Sequence, residues 1–325
     1  MAFAARIHQH GGADEFKYEA FEPGSPGAGQ VLIEHHAIGL NFIDIYHRSG
    51  LYQLADFPAI VGMEAAGTIR AVGDGVDGFA VGGRVAYACP PVGAYCTERV
   101  MAVDNLIKMP DNIDDDTAAA MMLQGLTVQY LIRQTYRVQT GNTVLLHAAA
   151  GGIGLIACQW LKHLGVTVIG TVGSEEKAAL AKAHGCDHTI QYRSENIAER
   201  VREITSGQGV PVVYDSIGPA TLEASLDSLQ PRGLLVSFGN ASGPVENFNF
   251  GTLAAKGSLF VTRPTLMTYT AERANLQAMA DDLLNVVGSG AVKININQRF
   301  PLKDAGKAQA ALENRETTGS TILVP

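Results

Sequence analysis

Thr143-Val-Leu-Leu-His-Ala-Ala-Ala-Gly-Gly-Ile-Gly154 is the stretch on which the fold turns. A short apolar run, residues 143–147, gives way to small residues and glycines. Ile153, Ile156, Ala157, Trp160, Leu161 and Leu164 then recur at helical spacing until Gly165 stops the helix. Strand, tight turn and amphipathic helix, in that order, form the setting of a dinucleotide-binding turn. Against G-x-G-x-x-G the match is A-x-G-x-x-G, with Ala149 in the first glycine slot. Gly151 lets backbone approach a pyrophosphate, and Gly154 lets the helix pack closely. Gly152 and Ile153 open the helix, whose free N–H groups and partial positive charge suit an anion.

Outward from this turn, residues 123–262 alternate strand and helix. Strands are expected at 166–171, 188–192, 211–215, 234–238 and 258–262. Ser174 is expected to cap one helix and Ser194 to start another, with Ile197, Val201 and Ile204 on one face. Repeated β-α-β units build a doubly wound parallel sheet. Residues 1–122 read differently. Strands at 30–39, 67–72 and 83–88 lie between turn clusters such as Gly73-Asp-Gly and Cys89-Pro-Pro, the pattern of a β-rich barrel. In the tail, 263–325, a helix over 271–287, a strand near Ile294, a helix over 304–313 and a strand over 320–324 return to complete the first domain. The expected fold is α/β, with domains at 1–122 plus 263–325 and at 123–262.

Composition narrows the function. The 325 residues carry a net charge of −8, which argues against nucleic acid or an anionic membrane as the main partner. No apolar run approaches a membrane span, and the N-terminus does not read as a signal peptide. Cys89, Cys96, Cys158 and Cys186 form no C-x-x-C pair, so neither a disulfide framework nor a structural zinc site is expected, and a cytoplasmic location is. The nine histidines make no metal-ligand pattern, and no G-x-S-x-G elbow or Walker loop exists. After the second strand of the nucleotide unit comes Gly173-Ser174, where an NAD site would place a carboxylate. Lys177 and Tyr192-Arg193 lie nearby in sequence. A hydroxyl with cations suits a 2′-phosphate, so NADPH is expected over NADH. Glu175 and Glu176 read as charges at a helix start.

Taken in order, Gly39-Leu-Asn-Phe-Ile-Asp-Ile-Tyr-His-Arg-Ser-Gly-Leu-Tyr52, Gly62-Met-Glu-Ala-Ala-Gly67, Gln124-Gly-Leu-Thr-Val128, the 147–154 turn, Val213-Tyr-Asp-Ser-Ile-Gly218, Val236-Ser-Phe-Gly-Asn240 and Val261-Thr-Arg-Pro264 carry a resemblance over essentially the whole chain. The sequence resembles the zinc-independent, zeta-crystallin-like quinone oxidoreductases of the medium-chain dehydrogenase/reductase superfamily, in their bacterial form. The resemblance implies a GroES-like domain, a Rossmann domain, bound NADPH, and a homodimer formed through the Rossmann domain. Zinc-dependent relatives carry Cys where Asn41 stands and His where Met63 stands, so no metal is implied. Asn41, Phe42, Ile43, Asp44 and Tyr46 should line the nicotinamide side, with Tyr52 in the substrate pocket and Thr127 and Tyr130 beside the cofactor. The resemblance gives Gly152 and Ile153 to the pyrophosphate, and Gly173, Ser174, Lys177 and Tyr192 to the 2′-phosphate. Ser216, Phe238, Gly239 and Asn240 should flank the ribose and nicotinamide, with Pro264 and Met267 near the carboxamide and Arg315 near the cofactor. Tyr46, Tyr52 and Asn41 are the candidates for positioning substrate, although either tyrosine also reads as a packing residue. Gln124 departs from the family's frequent Lys, and Gly83 from its Asp.

The implied activity is reduction of quinones by NADPH. Two other readings share the fold: an NADPH-dependent enone or alkene reductase, and an NADPH-responsive RNA-binding protein, which the charge disfavours.

Overall fold

The computed structural model describes residues 1–325, which divide into two compact units. One comprises residues 1–126, 271–284 and 294–325, the other residues 127–270 and 285–293. Of the four divisions, 126/127 and 284/285 fall inside the helices Asp115–Tyr130 and Arg273–Gly288, while 270/271 and 293/294 fall in connecting segments, so none coincides with 122/123 or 262/263. Residues 263–270 and 285–293 therefore go with the nucleotide unit, not with the tail. A sequence boundary drawn at a change of texture cannot see a helix running through it. No helix is long and apolar enough to cross a membrane.

The nucleotide unit holds a six-stranded, wholly parallel sheet. Its order is His188–Gln191, Thr167–Val172, Thr143–Leu146, Val210–Asp215, Leu229–Ser237, Phe260–Thr262. The order reverses between Thr143–Leu146 and Val210–Asp215, the place where doubly wound sheets open a crevice at their strand ends. Val144, Leu145, Val168, Ile169, Val212 and Val213 are fully buried, as central parallel strands covered on both faces require. Gly165, at φ +72°, ends the Gly152–His163 helix as expected. Ser174 does cap Glu175–Ala183, accepting from Lys177 N–H at 3.3 Å. Ser194 does not cap the next helix. Asn196 does, accepting from Glu199 N–H at 3.3 Å, and the helix spans Ile197–Ile204. Both residue types cap well, and only the chain's exit from the preceding strand selects between them.

The other unit is β-rich. Its larger sheet runs Ile296–Pro301, Ser320–Val324, Gln30–Leu40, Glu64–Val72, Arg84–Ala88, Ile107–Lys108, with Glu98–Ala102 also paired to Gln30–Leu40. A three-stranded sheet joins Lys17–Phe21, Ala2–Ile7 and Ala59–Ile60. Val31 and Ile33 alternate with more exposed neighbours and enter a core with Ile7, Ile38, Ile69 and Tyr95. The tail strand Ser320–Val324 pairs antiparallel with Gln30–Leu40, setting Thr321 opposite Leu40 and Ile322 opposite Gly39. The sequence reading missed one element that matters for the site, the helix Phe42–Ser49. Asn41 precedes it in extended conformation, Asp44 Oδ2 accepts the Asn41 N–H at 2.9 Å, and Gly50 closes it at φ +86°.

Candidate functional site

In the nucleotide unit the turn 147–151 leaves the central strand and Gly151, extended at φ −79°, caps Gly152–His163. The N–H groups of the first helical turn have no intrahelical partner by geometry. A Cβ on Gly154 would lie 2.3 Å from Ala148 O and 2.6 Å from Ala149 C, so only glycine allows the helix to sit this close to the turn. On Gly151 a Cβ would meet only Ala148 O, at 3.3 Å, so that position faces open space.

A buried chain holds this turn. His147 is fully buried, which keeps its imidazole below the usual histidine range and neutral. Its Nε2 donates to Ser225 Oγ at 2.9 Å, and the Ser225 hydroxyl donates to Asp215 Oδ2 at 2.7 Å. That direction makes Nδ1 the acceptor from Thr171 Oγ1 at 3.0 Å, while Thr171 Oγ1 accepts Ala148 N–H at 3.3 Å. Three strand ends and the turn are thereby tied together. His147 lay inside the quoted motif, but its partners are 24 to 78 residues away and gave no signal.

At the tip of the next strand, Gly173 faces the phenol of Tyr192. A Cβ there would lie 2.7 Å from the Tyr192 hydroxyl. Tyr192 is exposed, and Ser174 and Lys177 are half-buried beside it in the first turn. Glu175 is drawn aside by Gln191 Nε2 at 2.5 Å. Ser216 and Gly239 abut, since a Gly239 Cβ would sit 2.3 Å from Ser216 O. Phe238 N–H donates to Asp215 O at 2.8 Å, and Asn240 follows half-buried. Arg263 pins this loop through Ser237 O at 3.0 Å and Gly239 O at 2.9 Å. Pro264 and Met267 are half-buried at the start of a short helix, Leu266–Tyr269. Tyr130 is buried and stacks on Tyr269 at 4.4 Å, with Thr127 buried one turn before it.

In the β-rich unit, the helix Phe42–Ser49 carries an aromatic group. Phe42 and Tyr46 lie 5.9 Å apart, Tyr46 and Tyr52 5.3 Å, and His47 and Tyr52 5.8 Å. Phe42, Ile43 and Tyr52 are half-buried. Burial holds His47 down at about 4, so it is neutral at pH 7. Asp44, expected to line the cofactor, is instead wholly buried. Its Oδ2 takes the Asn41 N–H and the Tyr95 hydroxyl at 2.9 Å each, and burial pushes its carboxyl up to about 7. At position N3 of a helix the same residue type that could line a site also caps inward. Arg315 stands exposed after the Ala305–Glu313 helix, at φ +63°.

Sequence reasoning gave no role to Glu64 or Ser320 and noted Gln124 only as a departure from the family's Lys. Asn41 lies 2.8 Å from Glu64 Oε2 through Nδ2 and 3.1 Å from Gln124 Nε2 through Oδ1. Leu123 N–H reaches the same Glu64 oxygen at 3.2 Å, and Gln124 meets Ser320 Oγ at 2.9 Å. Glu64 is fully buried, and burial raises its carboxyl well above the usual range. The available signal was a lone carboxylate at the head of an Ala/Gly strand, Glu64-Ala-Ala-Gly67.

The chain matches two family models: an alcohol dehydrogenase GroES-like domain over residues 27–135 and a zinc-binding dehydrogenase over residues 152–283. These units define the class, a two-unit dehydrogenase/reductase with a GroES-like part and a nucleotide-binding part. A quinone oxidoreductase of Pseudomonas aeruginosa is 54% identical over 325 residues, covering all of both chains. A 2-haloacrylate reductase of a Burkholderia species is 46% identical, covering 100% of this chain and 99% of its own. The crystal structure of Escherichia coli quinone oxidoreductase complexed with NADPH superposes with a TM-score of 0.98 at 46% identity, covering both chains entirely. The chain belongs to the bacterial quinone oxidoreductase family of the medium-chain dehydrogenase/reductase superfamily.

The zinc in one family model's description finds no ligand set here. The Asn41 carboxamide is engaged at both ends, Met63 is a buried thioether, and no group of three or more His, Cys, Asp or Glu side chains is placed to hold a metal.

Proposed function

We propose that this protein uses NADPH to reduce quinones, without a metal. The observation that carries the reading is the Ala149–Gly154 turn at the sheet's reversal point, beside a strand tip of Gly173, Ser174 and Tyr192 with no carboxylate. These residues fit the cofactor. Gly151 leaves the helix N-terminus open to a pyrophosphate, where a Cβ would project, and Gly152 and Ile153 supply N–H donors. Ser174, Lys177 and Tyr192 hold the 2′-phosphate, which a carboxylate would repel. Ser216, Phe238, Gly239, Asn240, Pro264, Met267, Thr127, Tyr130 and Arg315 complete the expected cofactor set. NADPH, when bound, supplies a hydride from its nicotinamide.

The chain's own task is positioning and exclusion of water. Tyr46 and Tyr52, with Phe42, offer ring faces to a planar quinone, and Asn41 and Ile43 border them. A reduced quinone oxygen is a stabilised phenolate, so a tyrosine hydroxyl or solvent suffices as proton source. The edge strand Phe260–Thr262 leaves Phe260 60% and Val261 39% exposed, with Phe250 77% exposed nearby in sequence. An apolar unpaired edge of this kind supports a homodimer joined through the nucleotide unit. Four buried free thiols support a cytoplasmic location.

The similarity to a 2-haloacrylate reductase favours one second reading, reduction of an activated alkene. NADPH oxidation by the purified protein, followed with a small benzoquinone, a polycyclic ortho-quinone, a simple enone and 2-chloroacrylate, separates the two. Turnover with quinones, and with NADPH at least about tenfold better than NADH, is the expected result. Turnover of the alkenes alone would move the protein to the second reading.

A further inference from the structure

Helix geometry divides Phe42–Ser49 into two faces. Successive residues turn by about 100°, so Phe42 and Tyr46 share one face, and Asp44 and Arg48 share the opposite one. The second face is sealed: Asp44 is 0% and Arg48 2% exposed. A hydrogen-bonded chain joins these two residues through the rest of the unit. Arg48 Nη1 donates to Gln309 Oε1 at 3.1 Å, Gln309 Nε2 donates to the Tyr95 hydroxyl at 3.3 Å, and that hydroxyl donates to Asp44 Oδ2 at 2.9 Å. The direction follows from the guanidinium, which can only donate. Gln309 must show it an oxygen, so its NH₂ faces Tyr95, and the single Tyr95 proton is left for Asp44. The Asn41 N–H, 2.9 Å from the same Asp44 oxygen, brings the chain back to the start of the helix.

We propose that Gln309 is a positioning residue: with Tyr95 it ties Arg48 to Asp44, and this closed loop holds the helix by its inner face and so sets where Phe42 and Tyr46 hold their rings. What those rings receive rests on the proposed quinone reduction. The clamp itself does not.

Other contacts hold the same parts. Gln309 is fully buried on the helix Ala305–Glu313, and Glu313, one turn further on, takes Arg48 Nη2 at 2.8 Å. Two residues one turn apart on the tail helix therefore grip one guanidinium. Arg48 Nε donates to Gly11 O at 3.2 Å and Gly11 N–H donates to Arg48 O at 3.1 Å, which fixes the same residue by side chain and by backbone. The tail helix is itself seated closely, since a Cβ on Gly306 would lie 2.3 Å from Ala13 O. Tyr95 is set as tightly: a Cβ on Gly62 would lie 2.4 Å from its ring. An apolar set of the same shape would fill this place at lower cost. What a sealed polar set adds is direction, because each donor finds its acceptor in only one placement of the helix.

Gln309→Glu tests this without emptying the site. A carboxylate beside Arg48 keeps that pair but can only accept, so it takes the Tyr95 proton and leaves Asp44 without it. Tyr95→Phe removes the same link from the other side. In each variant, hydrogen–deuterium exchange of the 42–49 helix should speed up about fivefold, with the amides of the nucleotide unit unchanged. Each should also raise KM for a polycyclic ortho-quinone about fivefold. KM for a small benzoquinone and affinity for NADPH should stay within about twofold, because only the larger ring system must span Phe42 and Tyr46. The double variant should be no worse than the worse single one, since both cut one link. Unchanged helix exchange, additive losses in the double variant, an equal rise in KM for both quinones, or weaker NADPH binding overturns the proposal. If the wild type turned over no quinone, the proposed activity would fail, while exchange in the single and double variants would still decide the clamp.

Discussion

Asp44→Asn should abolish the pH dependence that Asp44 imposes on stability. The wild-type carboxyl is wholly buried and titrates at about 7, against an ordinary 3.8. Its folded value is raised, so the native state holds a proton that the unfolded chain has released. Stability is full below 3.8 and falls as pH rises, until the group ionises in the native state near 7. At 1.36 kcal/mol per pH unit the whole loss is about 4 kcal/mol, of which about 2.5 kcal/mol falls between pH 5 and pH 8. Asparagine keeps an oxygen for the Asn41 N–H and the Tyr95 hydroxyl and cannot ionise. It also puts an NH₂ where Oδ1 now has no partner, which costs about 1–3 kcal/mol at every pH. The variant is therefore expected to be the weaker protein at pH 5 and to gain about 2.5 kcal/mol on the wild type by pH 8. Urea unfolding of both proteins at the two pH values, followed by far-UV circular dichroism, measures the double difference. His35, buried in the β-rich unit, the half-buried His47 and the buried His147 all titrate below the usual histidine range, are common to both proteins and cancel. An offset of the same size at pH 5 and pH 8 would refute the reasoning, because it would mean that Asp44 is already ionised at pH 5.

Three further outcomes are expected. Gly154→Ala drives a Cβ to 2.3 Å from Ala148 O, backbone that cannot step aside, and should weaken NADPH binding at least about tenfold in a fluorescence titration. Ser225→Ala leaves His147 Nε2 without an acceptor in a sealed site and should destabilise the protein by about 1–3 kcal/mol in urea unfolding. Ser174→Asp keeps a good helix cap but adds a carboxylate where the 2′-phosphate is proposed to lie. The ratio of NADPH to NADH turnover should fall at least about tenfold, and an unchanged ratio would remove Ser174 from the phosphate site.

The sequence by itself determined the nucleotide unit. Its strands are short apolar runs, its helices carry one apolar stripe, and its turn is marked by glycines whose reasons are local: a left-handed stop at Gly165 and a close approach at Gly154. Signals of this kind act within a few residues, so a linear reading finds them. The same reading placed Ser174 as a cap and missed Asn196 by two positions, because cap chemistry is degenerate and the path of the chain breaks the tie. It carried the tail strand Ser320–Val324 to the first domain but set the boundary ahead of residues that belong to the other unit. Only the tertiary structure decided the environment of the carboxylates. Asn41, Glu64, Gln124 and Ser320 come from four segments, with contacts spanning 23, 83 and 196 residues. Whether a carboxyl is an exposed charge or a buried group held toward its neutral form depends on what surrounds it. Nothing in the spelling of Gly-Met-Glu-Ala-Ala-Gly says that water is absent there, or that an amide waits 2.8 Å away.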